Sequence, residues 1–310
     1  MREKPIKLIF NPLAGYSKRT FILRRILDYI LLRKHSTSEV LDQIKKEFKS
    51  AGIPVDSLII QKGISIEDSV RACSKDTHRA IVVAGGDGTI NSIINMISKT
   101  TIPLGIIPTG TVNILARELG VPFSVQSACR RIIRGETLNI DMGKVNGRYF
   151  ACMSGVGFDA KVIKHTSFKM KTLIGIIGFG ITAAKQLCRL KSRKIRFRIN
   201  EDNEIKESYF LLVSNVKYYA GNYVLSHDVS VNDGQLDAIS LTKPNINHLL
   251  GFMWHIINGT LKESDYVEFM KVSSLHLAAD EYHHIHVDAE YMGKESASFG
   301  IEPNALRVFA

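Results

Sequence analysis

A glycine-rich run with a single carboxylate follows a short apolar segment and precedes a stretch of helical character; it reads Gly85-Gly86-Asp87-Gly88-Thr89. Glycines after a strand allow a sharp turn and let phosphate oxygens approach backbone N–H groups, and the helix dipole favours the anion. Asp87 would repel a phosphate unless it holds a metal ion, accepts a proton or is itself paired. The run therefore predicts a phosphate site and indicates phosphoryl transfer.

A second glycine turn, Gly110-Thr111, lies further along the chain and is followed by Asn113. It also comes after an apolar run, 102–107, and before the start of a helix. Turns at the carboxyl ends of neighbouring parallel strands face the same crevice. The two turns are therefore predicted to line one ligand site.

The elements that position these turns alternate between strand and helix up to residue 134, which predicts a parallel sheet with helices on both faces. The helix after the first turn is predicted to begin at Ile90. Beyond Leu138 the runs are short and β-like, including one over 285–289, with a helix near 246–261. The predicted fold class is α/β, with an N-terminal open parallel α/β nucleotide-binding domain over 1–136 and a C-terminal antiparallel β-sandwich domain over 137–301.

Composition sets the broad class of the protein. With 310 residues and 45% hydrophobic content, the chain can bury one large core or two ordinary ones. Its longest apolar stretch, 173–184, is shorter than the roughly 18–20 residues that span a bilayer. The N-terminus lacks a signal-peptide core, and the cysteines are too widely spaced for a zinc or disulfide framework. We expect a cytoplasmic protein with reduced thiols at Cys73, Cys129, Cys152 and Cys188.

The net charge of +11 is concentrated in one segment, 161–198, which contains eleven Lys and Arg residues and no Asp or Glu. Its apolar centre, 173–184, separates two groups of cations. This layout is typical of a surface that docks on anionic lipid, and predicts peripheral association with the inner membrane surface. A helix buried on its apolar side is the alternative. No nucleic-acid partner is expected, because no recognition motif accompanies the cations.

Further motifs recur in a fixed order along nearly the whole chain. They are Asn11-Pro12-Leu13-Ala14-Gly15, the two glycine turns with Leu115-Ala116-Arg117, Asn139-Ile140-Asp141-Met142-Gly143, Gly155-Val156-Gly157-Phe158-Asp159-Ala160, Asp233-Gly234-Gln235-Leu236-Asp237 and Val287-Asp288-Ala289-Glu290. In this order they resemble the diacylglycerol kinase catalytic-domain family of bacterial lipid kinases, which is related to the sphingosine kinases and NAD kinases. The first glycine run is shared with NAD kinases, whereas the continuation after Gly110 is similar to lipid kinases.

The resemblance implies transfer of the γ-phosphate of ATP to a lipid hydroxyl, with diacylglycerol as the lead acceptor and phosphatidic acid as the product. It implies ATP and Mg²⁺ as cofactors, a lipid substrate in the second domain, and a return of residues 302–310 to the first. A membrane lipid is then the expected partner, and a second copy of the chain, forming a homodimer, is a further candidate. The implied nucleotide-binding residues are Asn11, Gly15, Gly85, Gly86, Asp87, Gly88, Thr89, Gly110, Thr111 and Asn113.

Two carboxylates near the C-terminus are implied to be catalytic. Glu290 resembles the general base that takes the proton of the lipid hydroxyl, with Asp288 as an orienting or metal-linked neighbour; the reverse assignment stays open. Asp87 joins them as a third catalytic carboxylate. Because residues two apart on a strand share a face, Asp288 and Glu290 are expected to point in one direction.

The resemblance also implies two places for Mg²⁺. Asp87 and Asp141 belong to a metal-centred network, Asp141 acting through water. A structural Mg²⁺ is implied at the Asp233-Gly234 turn, held by the carboxylate of Asp233 and backbone carbonyls, which need no particular side chain. A tight turn without metal is the alternative interpretation. The ligands of the structural ion would be Ser230, Asp233 and Gln235.

Three departures from the family pattern keep other functions open. Ile114 stands where the family has an acidic residue, so its task falls to Asp87 and Asp141. Ala289 replaces a glycine, and the apolar run 21–32 is longer than the usual link, which predicts an extra helix packed on the body or on a partner, with lipid contact as the alternative. The open alternatives are a kinase of a soluble acceptor, as in NAD kinases, and a non-catalytic lipid-binding protein.

Two other features have competing interpretations. The histidines before the Asp288 motif are predicted to be surface residues, with a metal site as the less favoured reading. Trp254 is predicted to lie in the core rather than in the wall of a lipid channel. The three histidines are His283, His284 and His286.

Overall fold

The computed structural model describes residues 4–14, 37–61, 63–165, 194–243, 246–279 and 281–310. They form two compact units, one comprising residues up to Ile140 with Ala305–Ala310, and one running from Asp141 to Asn304. The boundaries expected from sequence lie a few residues earlier. Gly15, the apolar run 21–32 and the central part of the basic segment, 166–193 with Cys188, lie outside the described residues.

A parallel sheet forms the centre of the first unit, with the strand order β2-β1-β3-β4. Its strands are β1 (Ile6–Phe10), β2 (Val55–Ile59), β3 (Ala80–Gly85) and β4 (Leu104–Pro108). All residues of β3 are buried, as expected for a central strand covered on both faces. The C-terminal return is present, because Val308 pairs in parallel with Leu104.

Five described helices belong to the first unit. They are α1 (Thr37–Ser50), α2 (Ile66–Arg71), α3 (Asp87–Ile97), α4 (Ile114–Glu118) and α5 (Val125–Arg134). Helix α1 buries Leu41, Ile44 and Phe48, whose spacing places them on one face of the helix. Helix α3 begins at Asp87, so the expected start at Ile90 is wrong. The end of the glycine run is therefore the first turn of a helix.

The second unit is rich in β-structure. Its strands are β5 (Thr137–Val145, which begins in the first unit), β6 (Arg148–Phe150), β7 (Met153–Val156), β8 (Ile195–Ile199), β9 (Lys206–Ser208), β10 (Phe210–Ser214), β11 (Tyr218–Tyr219), β12 (Tyr223–Val224), β13 (Leu236–Leu241), β14 (Val267–Val272), β15 (Ser274–Leu277), β16 (His283–Val287), β17 (Glu290–Glu295) and β18 (Ser298–Phe309, which ends in the first unit). Its helices are α6 (Phe158–His165), α7 (Ile246–Asn258) and a 3₁₀ turn (Leu261–Glu263).

Six strands of this unit form an antiparallel sheet in the order β14-β13-β10-β7-β16-β17. One hydrophobic core joins its side chains to those of β5, β6, β8, β15 and β18, including Leu211 and Val213 with Phe150 and Phe197. Two sheets packed over a shared core make a sandwich. The predicted fold class, a parallel α/β domain followed by an antiparallel sandwich, is thus confirmed.

Among the described helices, none combines the length and the apolarity needed to cross a bilayer.

Candidate active site

Three loops begin at one edge of the first unit's sheet, where the parallel strands β1, β3 and β4 end. Phe10 pairs with Ala84, and Gly85 pairs with Pro108, so these strand ends lie level with one another. The loops that follow carry Asn11, the first glycine run and the second glycine turn. The structure therefore brings the described residues of the predicted nucleotide site to one sheet edge, as expected from the order of elements.

The two glycine turns touch each other through their backbones. A Cβ on Gly110 would lie 2.5 Å from Cα of Gly86 and 2.6 Å from Oδ1 of Asn113. A side chain at Gly110 would therefore force the turns apart. From the sequence, these glycines are expected to let a phosphate approach the backbone. In the structure, Gly86 and Gly110 are required because one turn packs directly on the other.

Gly88 is the glycine of the run that faces open space. Apart from its chain neighbours and its own helix backbone, a Cβ there would meet no described heavy atom within 4 Å, although the residue lies in the first turn of α3. The first N–H groups of a helix have no partner within the helix, and the dipole makes this end attractive to anions. Gly88 thus leaves the backbone at the start of α3 open to an approaching group.

Asp87 joins the two turns electrostatically. Its Oδ2 accepts a hydrogen bond of 2.8 Å from the backbone N–H of Asn113, and its Oδ1 accepts one of 2.7 Å from that of Ile114. Burial raises the pKa of this carboxyl, and the two hydrogen bonds oppose that shift. A carboxylate beside a phosphate site can hold a metal ion, accept a proton or be paired, and Asp87 is paired with two backbone N–H groups. These hydrogen bonds cap the start of α4 and fix the second glycine turn to α3.

Ile114 stands where the family pattern has an acidic residue, but the hydrogen bond to Asp87 is independent of this change. Ile114 donates through its backbone N–H and not through its side chain. Asn113 adopts a left-handed backbone, with φ 53°, and closes the turn. Its Oδ1 accepts from the N–H of Gly110 at 3.1 Å, and its Nδ2 donates to the Gly110 carbonyl at 2.8 Å. An amide side chain can donate and accept hydrogen bonds at the same time, and asparagine tolerates the left-handed backbone conformation. These two properties explain the asparagine at this position.

The first loop is attached to the same helix. Asn11 donates from Nδ2 to the hydroxyl of Thr89 at 2.8 Å and accepts from the N–H of Leu13 at 3.0 Å. Asn11 therefore orders its own turn and fixes it to the first turn of α3. Thr111, the last of the described nucleotide-site residues, is exposed at this edge.

In the second unit, Asp288 and Glu290 do not lie on one strand, because the strand predicted over 285–289 ends at Val287. Val287 pairs directly with Glu290, so Asp288 and Ala289 form a two-residue hairpin turn. Both turn residues have positive φ, 45° and 62°. Such turns favour residues that tolerate the left-handed region, which explains a glycine at the position of Ala289 in the family pattern. The turn abolishes the shared face expected from strand periodicity.

The two carboxylates consequently have different surroundings. Asp288 accepts backbone hydrogen bonds from Ala151 at 3.0 Å, Cys152 at 3.0 Å and Met153 at 2.9 Å, which use both of its oxygens. The side chain of Glu290 is 60% exposed and contacts the guanidinium of Arg148 through Oε2. Asp288 thus anchors the hairpin to the β6–β7 connection, and Glu290 is the carboxylate presented to solvent.

Asp141 is buried in the second unit and accepts one backbone hydrogen bond at each oxygen. Its Oδ2 accepts from the N–H of Gly234 at 2.7 Å, and its Oδ1 accepts from that of Asn304 at 2.8 Å. Asp87 is held in the same way. Each oxygen keeps a second lone pair for a water or a metal ion, so the backbone fixes where these carboxylates could take part in a magnesium site.

The implied structural site at the Asp233-Gly234 turn does not fit Mg²⁺. One oxygen of Asp233 accepts from the N–H of Gln235 at 3.1 Å, and the other accepts from Nζ of Lys271 at 2.6 Å. The position of a divalent ion on this carboxylate is therefore taken by an ammonium group. Nothing in the sequence signalled Lys271, which is remote from the turn along the chain.

The histidines are not the surface residues expected from sequence, since His283 and His286 are buried. Each of the three has its own partner. His283 contacts Glu281, His284 lies 2.6 Å from the hydroxyl of Tyr291, and His286 lies 2.8 Å from Oδ2 of Asp159. Within the described residues no group of three or more His, Cys, Asp or Glu side chains is arranged to hold a metal ion.

Trp254 is also placed differently from its prediction. It is 66% exposed on α7, whereas the neighbouring Phe252 is buried. Leu250 and Ile257 are exposed on the same helix, 51% and 55% respectively. The spacing of four and three residues puts the three side chains in one stripe.

The chain thus combines an open α/β unit, which carries interlocked glycine turns at its carboxyl edge, with a β-sandwich unit. Two family models match in turn, the "Diacylglycerol kinase catalytic domain" over residues 5–145 and the "YegS C-terminal NAD kinase beta sandwich-like domain" over residues 152–310. The chain belongs to the diacylglycerol kinase catalytic-domain family, which confirms the resemblance of its motifs. It is accordingly a kinase of the lipid-kinase class, and the family implies use of ATP.

Individual relatives match over more than nine tenths of their length. The chain is 29% identical to a diacylglycerol kinase of Staphylococcus carnosus (strain TM300), covering 96% of this chain and 92% of that one. It is 27% identical to a diacylglycerol kinase of Staphylococcus aureus (strain JH9), covering 99% and 93%. The crystal structure of a diacylglycerol kinase from Bacillus anthracis strain Sterne shares the fold, with a TM-score of 0.72 at 19% identity over 100% of this chain and 97% of that one.

Proposed function

We propose that this protein transfers the γ-phosphate of ATP to the hydroxyl group of a membrane lipid, with diacylglycerol as the lead acceptor. The observation that carries the proposal is the open first turn of α3 at Gly88, set between two loops that Asp87 and Asn11 fix in place. A phosphate group held there meets fixed N–H dipoles that need no rearrangement. The names of the relatives support the choice of diacylglycerol.

The nucleotide is held by the carboxyl edge of the first unit's sheet. Backbone N–H groups near Gly88 bind phosphate oxygens, and the exposed hydroxyl of Thr111 donates to a phosphate or ribose oxygen. Asn11 and Asn113 act indirectly, because their side chains hold loops rather than point into open space. The residues that would hold Mg²⁺ beside the nucleotide are Asp87 and, through water, Asp141, and the ion would offset the negative charge of the phosphates there.

Glu290 acts as the general base. As the lipid hydroxyl oxygen forms its bond to the γ-phosphorus, the proton passes to a Glu290 oxygen, and ADP leaves with the electrons of the broken phosphoanhydride bond. Glu290 suits this task because it is largely exposed at a hairpin tip. Asp288 serves as a positioning residue, since three backbone N–H groups occupy its oxygens.

Radiolabelled ATP incubated with a mixed lipid extract and NAD tests the reaction. We expect label in the organic phase that comigrates with phosphatidic acid, and none after the change Glu290→Gln. Label in another phosphorylated lipid would replace diacylglycerol as the acceptor. Labelled soluble nucleotide would instead identify a kinase of the NAD-kinase type, and the absence of any labelled product would leave a lipid-binding protein without kinase activity.

The kinase is further proposed to dock on an anionic membrane surface. The basic segment 161–198 supplies the charge, although Lys194 and Arg196 are engaged in ion pairs with Glu207 and Glu281. The exposed stripe around Trp254 supplies apolar contact, and tryptophan is favoured where a membrane meets water.

Trp254 is the single tryptophan of the chain, so its fluorescence reports directly on this docking. Anionic vesicles should shift its emission to shorter wavelength, and added salt should reverse the shift because the attraction is screened. Neutral vesicles are the control. An emission spectrum that anionic vesicles leave unchanged, or a shift equal for both vesicle types, would contradict electrostatic docking through this face.

A further inference from the structure

The turn between Asp228 and Asp237 is built around one ammonium group. Nζ of Lys271 lies 2.6 Å from Oδ2 of Asp233, 2.9 Å from Oδ2 of Asp237 and 3.2 Å from the backbone carbonyl of Asp228. An ammonium group has three donors and no acceptor. Lys271 therefore has one oxygen partner for each of its N–H bonds.

The strand register delivers Lys271 to this position. Lys271 on β14 pairs directly with Asp237 on β13, so the two side chains are cross-strand neighbours. Asp237 is 4% exposed and the side chain of Lys271 is 33% exposed. Burial opposes the charged form of Lys271, but hydrogen bonds to Asp233 and Asp237 outweigh it and raise its pKa. The group is thus held as a cation among carboxylates.

We propose that the ammonium group of Lys271 is the resident cation of the 228–237 turn and replaces the structural Mg²⁺ implied there by the family resemblance. Mg²⁺ requires about six oxygen ligands at about 2.0–2.1 Å. Asp233, the side-chain ligand expected for that ion, is already bonded through both oxygens. A divalent ion added beside Lys271 would also meet the repulsion of a like charge at close range.

The opposite side of the turn needs no metal either. Asp141 accepts a hydrogen bond from the N–H of Gly234, and its own N–H donates to the carbonyl of Val231 at 2.7 Å. The turn is therefore fixed by a buried carboxylate on one side and an ammonium group on the other. The fold of the second unit should consequently be independent of divalent ions, whatever the reaction requires.

Thermal unfolding of the full chain tests this inference without reference to activity. The wild-type midpoint should be the same within about 1 °C in EDTA and in millimolar Mg²⁺ at matched ionic strength, because ligands stabilise a protein only when they bind its native state. The change Lys271→Met removes the charge and keeps an unbranched side chain. It should lower the midpoint in EDTA by about 5–10 °C, since it leaves Asp237 buried without its cation.

Metal rescue distinguishes cation replacement from an ordinary salt bridge. In Lys271→Met, millimolar Mg²⁺ or Ca²⁺ should restore several degrees of the lost midpoint, because two carboxylates and a carbonyl now face a free position. Adding Asp233→Asn should abolish this rescue. The matched control is Lys262→Met, which breaks the exposed ion pair with Asp228 in the same turn and should show a small midpoint change and no response to metal.

Two results would overturn the inference. One is a wild-type midpoint that falls in EDTA or rises with Mg²⁺, which would place a divalent ion in the native turn. The other is a Lys271→Met protein that metal does not rescue. If the variant fails to fold in EDTA, refolding in the presence and absence of Mg²⁺ provides the same comparison: recovery only with the metal supports the inference, and no recovery in either condition opposes it.

Discussion

The change Gly110→Ala should reduce kcat/KM for phosphoryl transfer by about a hundredfold or more and lower the free energy of unfolding by about 1–3 kcal/mol. The added methyl group would lie 2.5 Å from Cα of Gly86, so the two glycine turns would have to separate. Separation also strains the hydrogen bonds from Asn113 and Ile114 to Asp87. Steady-state kinetics with varied ATP and denaturation in urea measure the two effects.

Gly88→Ala is the matched control, because it adds the same methyl group two residues from Gly86 but into open space. Within α3, alanine should raise the free energy of unfolding by about 0.4–1 kcal/mol, because it lowers the conformational entropy of the unfolded chain. Turnover should nevertheless fall about tenfold or more, since the methyl group stands where phosphate approaches. Full activity of Gly88→Ala would exclude this helix end as the phosphate site, and full activity of Gly110→Ala would exclude the interlocked turns as its support.

The pair of changes Glu290→Gln and Asp288→Asn should separate chemistry from structure. Glu290→Gln removes a proton acceptor from an exposed side chain, so turnover should fall about 10²–10⁴-fold. Its free energy of unfolding should stay within about 0.5 kcal/mol of the wild-type value. The KM for ATP should be unchanged. Single-turnover kinetics and urea denaturation provide both measurements.

Asp288→Asn should instead lower the free energy of unfolding by about 2–3 kcal/mol. In the wild-type protein three backbone N–H groups donate to the charged carboxylate, whereas the amide nitrogen of asparagine would place another donor against them. Its activity should fall as well, since the hairpin that carries Glu290 loses its anchor. The opposite pattern, full turnover in Glu290→Gln with a stable but inactive Asp288→Asn, would assign the base to Asp288.

The carboxylates show how much of the site can be predicted from the sequence motifs. The sequence predicts a metal-centred network for Asp87 and Asp141, and in the structure each accepts two backbone hydrogen bonds from residues distant in the chain. Strand periodicity failed at Asp288 for a local reason. A two-residue hairpin turn with positive φ reverses the chain there, and the alanine in place of a turn-favouring glycine concealed the turn.

The sequence by itself determined the fold class, the family and the sheet edge that carries the glycine turns. These follow from local rules, namely apolar periodicity, the alternation of strand and helix, and the special backbone freedom of glycine. Only the tertiary structure decided which partner each charged group has: backbone amides for Asp87, Asp141 and Asp288, and the ammonium of Lys271 for Asp233. The physical reason is that hydrogen bonding depends on atoms brought within about 3 Å by the register of distant strands and the contact of separate loops.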